Sequence, residues 1–284
     1  MGVVAQRSTT PDPSISKEGN YAAIFMQGGE PKDYGDSAQN DRINREPASM
    51  SVLAIIPAAG WGVRMGSATP KQFLSLEGVP IFVHTLRKFV ACPAVHDILL
   101  GLRAEDTERA QKEIEHARFA RPVRLVEGGA SRQETVARCL EQAAADTEVV
   151  LVHDAVRPFI ELEMIQGVIA AARKEGAAIL GIPSVDTIKQ VQGRLILGSI
   201  PRERIVLAQT PQAFRYDIIR EAYARAMADR FHGTDDSSLA ERLGHSVSVI
   251  MGSDRNIKIT KPSDLPLARL YLAQERERQE VVEG

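Results

Sequence analysis

The chain has 284 residues, with 35 lysines and arginines against 37 acidic residues, a net charge of −2, and two cysteines. This length allows one or two domains with a large core, and the near-neutral charge argues against a protein that coats nucleic acid. Two cysteines are too few for a disulfide framework or a Cys-based zinc site and suggest a reducing compartment, and no apolar run reaches the roughly 18 residues that a membrane span needs.

The first fifty residues differ in composition from the rest. Only 16 of them are apolar, and four prolines and a Gly-Gly pair interrupt them. Residues 1–50 are therefore predicted to be a disordered polar leader. Their seven acidic residues are unusual for a transit peptide, and they lack the apolar stretch of a secretory signal, so a cytoplasmic location is expected. Because Met50 directly precedes the first predicted strand, a start at that methionine is an alternative explanation of the leader.

From Ser51 onwards, short apolar runs alternate with amphipathic stretches, the pattern of a mostly parallel sheet covered by helices. The run at 149–152 is apolar throughout, which indicates a strand buried on both faces. Ligands in such sheets bind at the carboxyl ends of the strands. Predicted strands are 52–57, 95–102, 123–126, 149–153 and 177–183, and predicted helices between them are 104–118, 131–145 and 162–175.

Residues 184–208 interrupt this alternation. They contain strand-forming residues and a Gln192-Gly193 turn signal but no following helix of the usual length, so they are predicted to form a projecting hairpin or arm. Helices at 216–229 and 236–243, strands at 247–251 and 256–260 and a closing helix after Pro262 are expected to follow. The charged end at 275–284 is expected to be frayed.

The loop after the first strand carries the strongest indication of function. Residues 57–66 read Pro-Ala-Ala-Gly-Trp-Gly-Val-Arg-Met-Gly, followed by Pro70-Lys71-Gln72. Small residues let backbone N–H groups approach an anion closely, and Arg64 and Lys71 would flank a triphosphate. Dinucleotide binding by Gly60-x-Gly62 and a purely structural glycine turn are the alternatives, although Pro70 would interrupt the helix that dinucleotide binding needs.

Two later loops also follow strands. In the first, Gly128-Gly129 permits a close approach to a planar ligand, and Ser131 with Glu134 has the spacing of a capping box, which an ordinary capped loop would show as well. In the second, Asp154 is well placed to hold Mg²⁺ and Arg157 supplies a bidentate anion donor. His153 has no partner at metal-ligand spacing and is interpreted as a packed histidine.

Further charged residues lie nearer the end of the chain. Arg202 and Arg204 are in the predicted arm, and Lys258 and Lys261 are in or beside the last short strand. Solvated surface positions are the ordinary interpretation of each one taken alone. The Asp235-Asp236-Ser-Ser sequence is typical of a helix N-terminus.

Together these motifs identify a family. The glycine loop with Pro-Lys-Gln-Phe, the Gly128-Gly129-x-x-Arg132 loop, the His153-Asp154-Ala-x-Arg157-Pro loop, Gln209-Thr-Pro-Gln-Ala-Phe and Asn256-Ile-Lys-Ile-Thr resemble 2-C-methyl-D-erythritol 4-phosphate cytidylyltransferases over residues 52–274. The resemblance implies a Rossmann-like, three-layer α/β fold of the nucleotide-diphospho-sugar transferase type, with a catalytic domain at 51–274 and a projecting β-arm. It also implies a homodimer in which arms are exchanged.

The resemblance further implies a reaction and a role for each site residue. CTP and 2-C-methyl-D-erythritol 4-phosphate would give 4-diphosphocytidyl-2-C-methyl-D-erythritol and pyrophosphate, in the non-mevalonate route to isoprenoids, with Asp154 holding Mg²⁺ or another divalent cation. Arg64, Lys71, Arg202 and Lys258 would be the catalytic residues, with Arg64 and Lys71 stabilising the transition state. The remaining assignments are Ala58, Ala59, Gly60, Gly129, Ala130 and Thr135 for CTP, and Ala155, Arg157, Thr187, Arg202, Thr210 and Lys258 for the sugar phosphate.

The residue types agree with this chemistry independently. A phosphate monoester is already ionised near neutral pH, so its attack on the α-phosphorus needs cations and positioning and no general base. Two alternatives are kept: a ribitol 5-phosphate cytidylyltransferase, which needs the same nucleotide loops, and a non-catalytic dimeric nucleotide-binding module.

Overall fold

The structure is a computed structural model that describes residues 51–60 and 70–283. The chain divides into two compact units. The described part of the larger unit comprises 51–60, 70–182 and 207–283, and that of the smaller unit is 183–206. No helix among the described residues is long and apolar enough to span a membrane.

Seven strands of the described chain form one sheet. The strands, in chain order, are β1 (Ser51–Pro57), β2 (Ser75–Leu76), β3 (Val79–Pro80), β4 (Asp97–Leu102), β5 (Arg124–Glu127), β6 (Thr147–Val152), β7 (Ala177–Pro183), β8 (Ile188–Gln192), β9 (Leu195–Ile200), β10 (Val206–Arg215) and β11 (Ser248–Met251). The order in the large sheet is β11-β7-β10-β6-β1-β4-β5. β1 runs parallel to both β4 and β6, and β10 is antiparallel to β6, so the predicted mostly parallel sheet is confirmed.

Helices cover both faces of this sheet. The helices among the described residues are α1 (Ile81–Ala91), α2 (Thr107–Ala117), α3 (Arg132–Leu140), α4 (Leu162–Glu175), α5 (Tyr216–Ala228), α6 (Asp236–Arg242) and α7 (Leu265–Glu283). Side chains alternate along β1, so Val52, Ala54 and Ile56 pack with α1 and α4 on one face, whereas Leu53 and Ile55 pack with α3 and α5 on the other. Burial on both faces explains why the central strands are apolar throughout, and the three-layer α/β fold is confirmed.

The predicted elements differ from the structure in the middle and near the end of the chain. The strand β10, which lies between β7 and β6 in the large sheet, is not predicted, and its first residues are assigned to the arm. Residues 177–183 and 162–175 form the predicted strand and helix, and the other ends shift by a few residues. The strand expected at 256–260 is wrong, because this segment pairs with no neighbouring strand among the described residues. The helix expected after Pro262 is present but continues to Glu283, through residues expected to fray.

The smaller unit is a β-hairpin. β8 pairs antiparallel with β9 around a turn in which Gly193 has φ +58°, and a short 3₁₀ helix follows at Arg202–Arg204. A hairpin is thus present within the predicted range 184–208, with its strands at 188–200, whereas residues 206–208 begin β10. Its side chains include several exposed apolar groups, such as Val185, Leu195 and Ile196.

Candidate active site

The strand order places a crevice beside β1. The chain passes from β1 to β4 and β5 on one side, whereas β6 lies on the other side of β1. The loops after β1 and β6 therefore leave the sheet at a topological switch point, where open α/β sheets bind ligands. A pocket lies at this edge, lined by Pro57, Ala58, Ala59, Gly60, Lys71, Gln72, Arg132, Asp154, Ala155, Val156 and Lys258.

The start of the first loop is held by two hydrogen bonds. The Ala58 N–H donates to the Gly101 carbonyl at 2.7 Å, and the Ala58 carbonyl accepts from the Gln72 side-chain amide at 2.5 Å. Gln72 is buried in the 3₁₀ turn Lys71–Phe73, so this bond connects the turn that carries Lys71 to the glycine loop. Arg64 and the rest of 61–69 lie outside the described residues.

Asp154 is the centre of a cluster of three cations. It follows β6, and its side chain is only 8% exposed. Lys258 Nζ lies 2.9 Å and Arg157 Nε 3.3 Å from its Oδ2, and Arg132 Nε lies 3.2 Å from its Oδ1. Arg157 also donates to the Asn256 carbonyl at 2.7 Å, which ties the loop after β6 to the segment that carries Lys258. The structure thus brings Asp154, Arg157 and Lys258 together, as the sequence predicts.

The charges of this cluster determine its protonation. Burial by itself raises the pKa of the Asp154 carboxyl, but the positive charges of Arg132, Lys258 and Arg157 outweigh burial and hold that pKa well below its usual range. Burial by itself lowers the pKa of the Arg132 guanidinium. The carboxylates of Asp236 and Asp154 outweigh burial, hold that pKa above its usual value and keep the guanidinium charged. Among the described residues, Lys71, Arg132 and Lys258 line the pocket together with Asp154, and this excess of positive charge favours an anionic ligand.

Arg132 is a site residue to which the sequence alone assigns no role. It is the first residue of α3, where a positive charge is unfavourable towards the helix dipole. Its Nη1 and Nη2 donate to Asp236 at 3.0 and 2.7 Å, in addition to the contact with Asp154. A cation at a helix N-terminus directly after a strand-end loop is the signal in the sequence that would have pointed to this residue.

The Gly128-Gly129 loop is packed closely against the first loop. A side chain at Gly128 would place its Cβ 2.8 Å from both the Ala59 Cβ and the Thr135 Oγ1, so only glycine allows this approach. Ser131 caps α3 by accepting from the Glu134 N–H at 3.0 Å, as predicted, whereas the Glu134 carboxylate accepts from Ala130 N–H at 2.9 Å and not from the cap residue.

Thr135 shapes this loop from beneath. The side chain is fully buried, and its hydroxyl accepts from the Gly129 N–H at 3.1 Å and donates to the Ser131 carbonyl at 2.8 Å. Among the residues predicted to bind CTP, Ala58, Ala59 and Gly60 line the pocket; Gly129, Ala130 and Thr135 are not among the described residues that do so.

His153 and Thr210 form hydrogen bonds that hold the backbone around Asp154. His153 Nε2 lies 3.0 Å from the Arg157 carbonyl, which can only accept, so Nε2 carries the proton and Nδ1 accepts from the Thr210 hydroxyl at 3.1 Å. The same hydroxyl accepts from the Asp154 N–H. Burial lowers the pKa of His153 to about 4, so the ring is neutral at pH 7. The packed histidine is confirmed, and Thr210 holds the backbone of Asp154.

The arm residues Thr187 and Arg202 belong to the smaller unit. Arg202 lies in the 3₁₀ turn, about half exposed, and its Nη1 donates to the Val185 carbonyl at 2.8 Å. Thr187 directly precedes β8 and is exposed. Among the described residues, no group of three or more His, Cys, Asp or Glu is arranged to hold a metal ion.

This architecture defines a Rossmann-like α/β nucleotide-binding protein with a cationic pocket at its switch point. Comparison with known proteins then gives the family: the model for 2-C-methyl-D-erythritol 4-phosphate cytidylyltransferase matches residues 52–274. The chain belongs to this family and is therefore a nucleotidyltransferase.

Individual relatives agree with this assignment. The chain is 52% identical over 239 residues to the 2-C-methyl-D-erythritol 4-phosphate cytidylyltransferase of Acidobacterium capsulatum, covering 81% of this chain and 100% of that protein. It is 50% identical to the protein of the same name from Solibacter usitatus, covering 81% and 98% of the two chains. The crystal structure of 4-diphosphocytidyl-2C-methyl-D-erythritol synthase from Anaerococcus prevotii matches with a TM-score of 0.71 at 31% identity, covering 78% of this chain and 96% of that one.

Proposed function

We propose that this protein transfers the cytidylyl group of CTP to 2-C-methyl-D-erythritol 4-phosphate, releasing pyrophosphate in the non-mevalonate route to isoprenoids. The observation that carries the proposal is the pocket after β1 and β6, where Lys71, Arg132 and Lys258 line one cavity with Asp154. Two polyanions must meet for this reaction, and the pocket supplies the cations that permit it.

CTP lies, in this proposal, along the first two loops. Ala58, Ala59 and Gly60 hold the nucleotide, with Arg64 and Lys71 on its phosphates. Gly129 and Ala130 read the cytosine, and Thr135 keeps their loop in shape through its buried hydroxyl. The close approach of Gly128 to Ala59 supports the assignment of both loops to one ligand.

The sugar phosphate binds on the side of Asp154, where Ala155 lines the pocket, Arg157 and Lys258 contact the carboxylate, and the Thr210 hydroxyl accepts from the Asp154 N–H. Its phosphate oxygen attacks the α-phosphorus of CTP, a P–O bond forms, and the bond to pyrophosphate breaks. The attacking oxygen carries no proton near neutral pH, so the cations neutralise the charge that develops and no side chain acts as a base. The neutral, buried His153 is consistent with this mechanism.

A divalent cation fits the chemistry of Asp154. Mg²⁺ is typically bound by one or two carboxylates together with substrate phosphates. Asp154 supplies one ionised carboxylate among the residues that line the pocket. Asp154 would hold the ion, which would supply further positive charge to the triphosphate. The cation is Mg²⁺ or another divalent metal.

The arm is proposed to join two copies of the chain. Val191 and Ile196, which pair across β8 and β9, are 58% and 64% exposed, and exposed apolar side chains that adjoin in this way mark an interaction surface. A homodimer formed by arm exchange would cover them and would bring Thr187 and Arg202 to the sugar phosphate in the partner's site.

Cys92 and Cys139 are both free and buried, as expected in a reducing compartment such as the cytoplasm.

The identity of the acceptor is tested by a panel. Purified protein is assayed for pyrophosphate release with CTP, Mg²⁺ and either 2-C-methyl-D-erythritol 4-phosphate or ribitol 5-phosphate, with Mg²⁺ omitted as the control. We expect turnover with the erythritol derivative and little with ribitol phosphate. A preference for ribitol phosphate would establish the related cytidylyltransferase, and no release with any polyol phosphate would favour the binding module.

A further inference from the structure

Asp236 is a carboxylate that reaches the active site through a single arginine. It is 0% exposed at the first residue of α6. Both of its oxygens accept from Arg132, and Oδ1 accepts as well from the hydroxyl of Tyr223, on α5. Arg132 is among the described residues that line the pocket, and Asp236 is not.

The distances rank the two carboxylates that Arg132 contacts. Its Nη atoms lie 3.0 and 2.7 Å from the oxygens of Asp236, whereas its Nε lies 3.2 Å from Asp154 Oδ1. The guanidinium is planar, and two bonds to one carboxylate fix its orientation, so the direction of the Nε–H follows from the pair with Asp236. Asp236 thus decides where Arg132 points.

We propose that Asp236 is a positioning residue of the active site. It holds the Arg132 guanidinium so that Arg132 orients Asp154 through Nε alone and does not pair with it through both Nη atoms. If Asp236 lost its charge, Asp154 would be the one carboxylate left to Arg132 among its described contacts, and the guanidinium would move towards it. That movement would displace Asp154 relative to Lys258 and Arg157, which share its other oxygen. The inference rests on the proposed function, in which Asp154 acts on the substrates.

A purely structural pair would behave differently. It would stabilise the contact between α3 and α6, and its loss would lower the stability of the protein without altering the chemistry of the folded fraction. A positioning pair must instead be coupled to Asp154, so that its effect disappears once Asp154 has been replaced.

The test uses the full chain with Asp236→Asn. We expect kcat/KM to fall about 10- to 100-fold, as is usual when a residue that orients a functional group is lost. Calorimetric titration with CTP alone, which needs no turnover, is expected to show weaker binding. In an Asp154→Asn background, the second substitution should change CTP affinity and turnover less than about twofold. Arg132→Lys, which keeps the charge but not the planar fork, should lose as much as Asp236→Asn.

Asp97→Asn is the matched control. Asp97 begins β4 and pairs through two atoms with Arg124 at the start of β5, at the edge of the sheet opposite the pocket. Its replacement is expected to leave kcat/KM and CTP affinity unchanged. If Asp236→Asn does not fold, Arg132→Lys and Tyr223→Phe, which removes one hydrogen bond to Asp236, are measured in the same way.

Two results separate this inference from the proposed function. Normal turnover and CTP binding in Asp236→Asn would overturn the positioning role while leaving the reaction in place. The same conclusion would follow if Asp236→Asn lowered kcat/KM as much in the Asp154→Asn background as in the unmodified protein. Full activity in Asp154→Asn itself would overturn the role of Asp154 and the inference that depends on it.

Discussion

The proposed site depends on a few cationic side chains that line the pocket at the edge of the sheet. Lys71 lines the pocket from a 3₁₀ turn, and its partly exposed side chain contributes little to the core. The role proposed for Lys71 is to neutralise the charge that develops on the triphosphate.

We predict that Lys71→Ala lowers kcat by about 10²- to 10³-fold, the usual consequence of removing one preorganised charge from a transition state. The melting temperature should stay within a few degrees of that of the unmodified protein, since the Lys71 side chain is only partly buried. Steady-state pyrophosphate release and calorimetry measure the two quantities. Lys112→Ala, which removes an exposed lysine paired with Glu108 on α2, is the control and should be fully active; an equally active Lys71→Ala would refute the assignment.

Residue types at strand ends are predictable from sequence, whereas their long-range partners are not. Asp154 and Arg157 follow an apolar strand, so their approach to the ligand site follows from the parallel sheet. Asp235-Asp236 is predicted only as a helix N-terminus. Asp235 does cap α6 by accepting from Ser238 N–H, but Asp236 pairs with Arg132, 104 residues earlier, and no local pattern encodes that contact.

At the scale of elements, the site is formed by loops that a parallel sheet brings to one edge. β1, β4 and β5 run in register, with Pro57 beside Gly101 and Gly101 beside Val126. The first loop and the Gly128 loop therefore emerge side by side, and the absence of a side chain at Gly128 lets them touch.

We predict that Gly128→Ala raises KM for CTP at least about 10-fold, since small displacements of binding elements have large effects on reactivity. The added Cβ would collide with Ala59 and Thr135 and force the loops apart. Gly167→Ala is the control: it lies within α4, where the added methyl group meets only the Ile250 side chain at 4.0 Å, and it should bind CTP normally. Unchanged KM in Gly128→Ala would show that CTP does not bind across both loops.

The limits of sequence prediction at this scale have a physical cause. Most buried strands and amphipathic helices are recognisable because periodicity reflects burial, and their observed ends lie within a few residues of the predicted ones. The helix α1 and the strand β10 are the exceptions, since neither is among the predicted elements. Residues 256–260 have the composition of a strand but bond to side chains and loops instead, as when Asn256 donates to the Thr210 carbonyl. Composition does not reveal whether a neighbouring strand is present to pair with.

At the scale of the whole molecule, the question is where the arm acts. The net charge of −2 does not argue against a binding site for a triphosphate, because Lys71, Arg132 and Lys258 are concentrated around one pocket at the edge of the sheet. The arm carries Arg202 on a separate unit with exposed apolar side chains. In the proposed dimer, each active site combines the pocket of one chain with the arm of the other.

Arm exchange predicts complementation between two inactive variants. Lys71→Ala damages the pocket and Arg202→Ala damages the arm, so a mixed dimer would contain one site with neither substitution. With random pairing half of the dimers are mixed and one of their two sites is intact, so coexpression should restore about a quarter of normal activity. Coexpression of Lys71→Ala with Lys258→Ala is the control, because both substitutions lie in the pocket and every site keeps one of them. If the arm instead served its own chain, neither pair would recover activity, since each pocket would remain joined to its own arm.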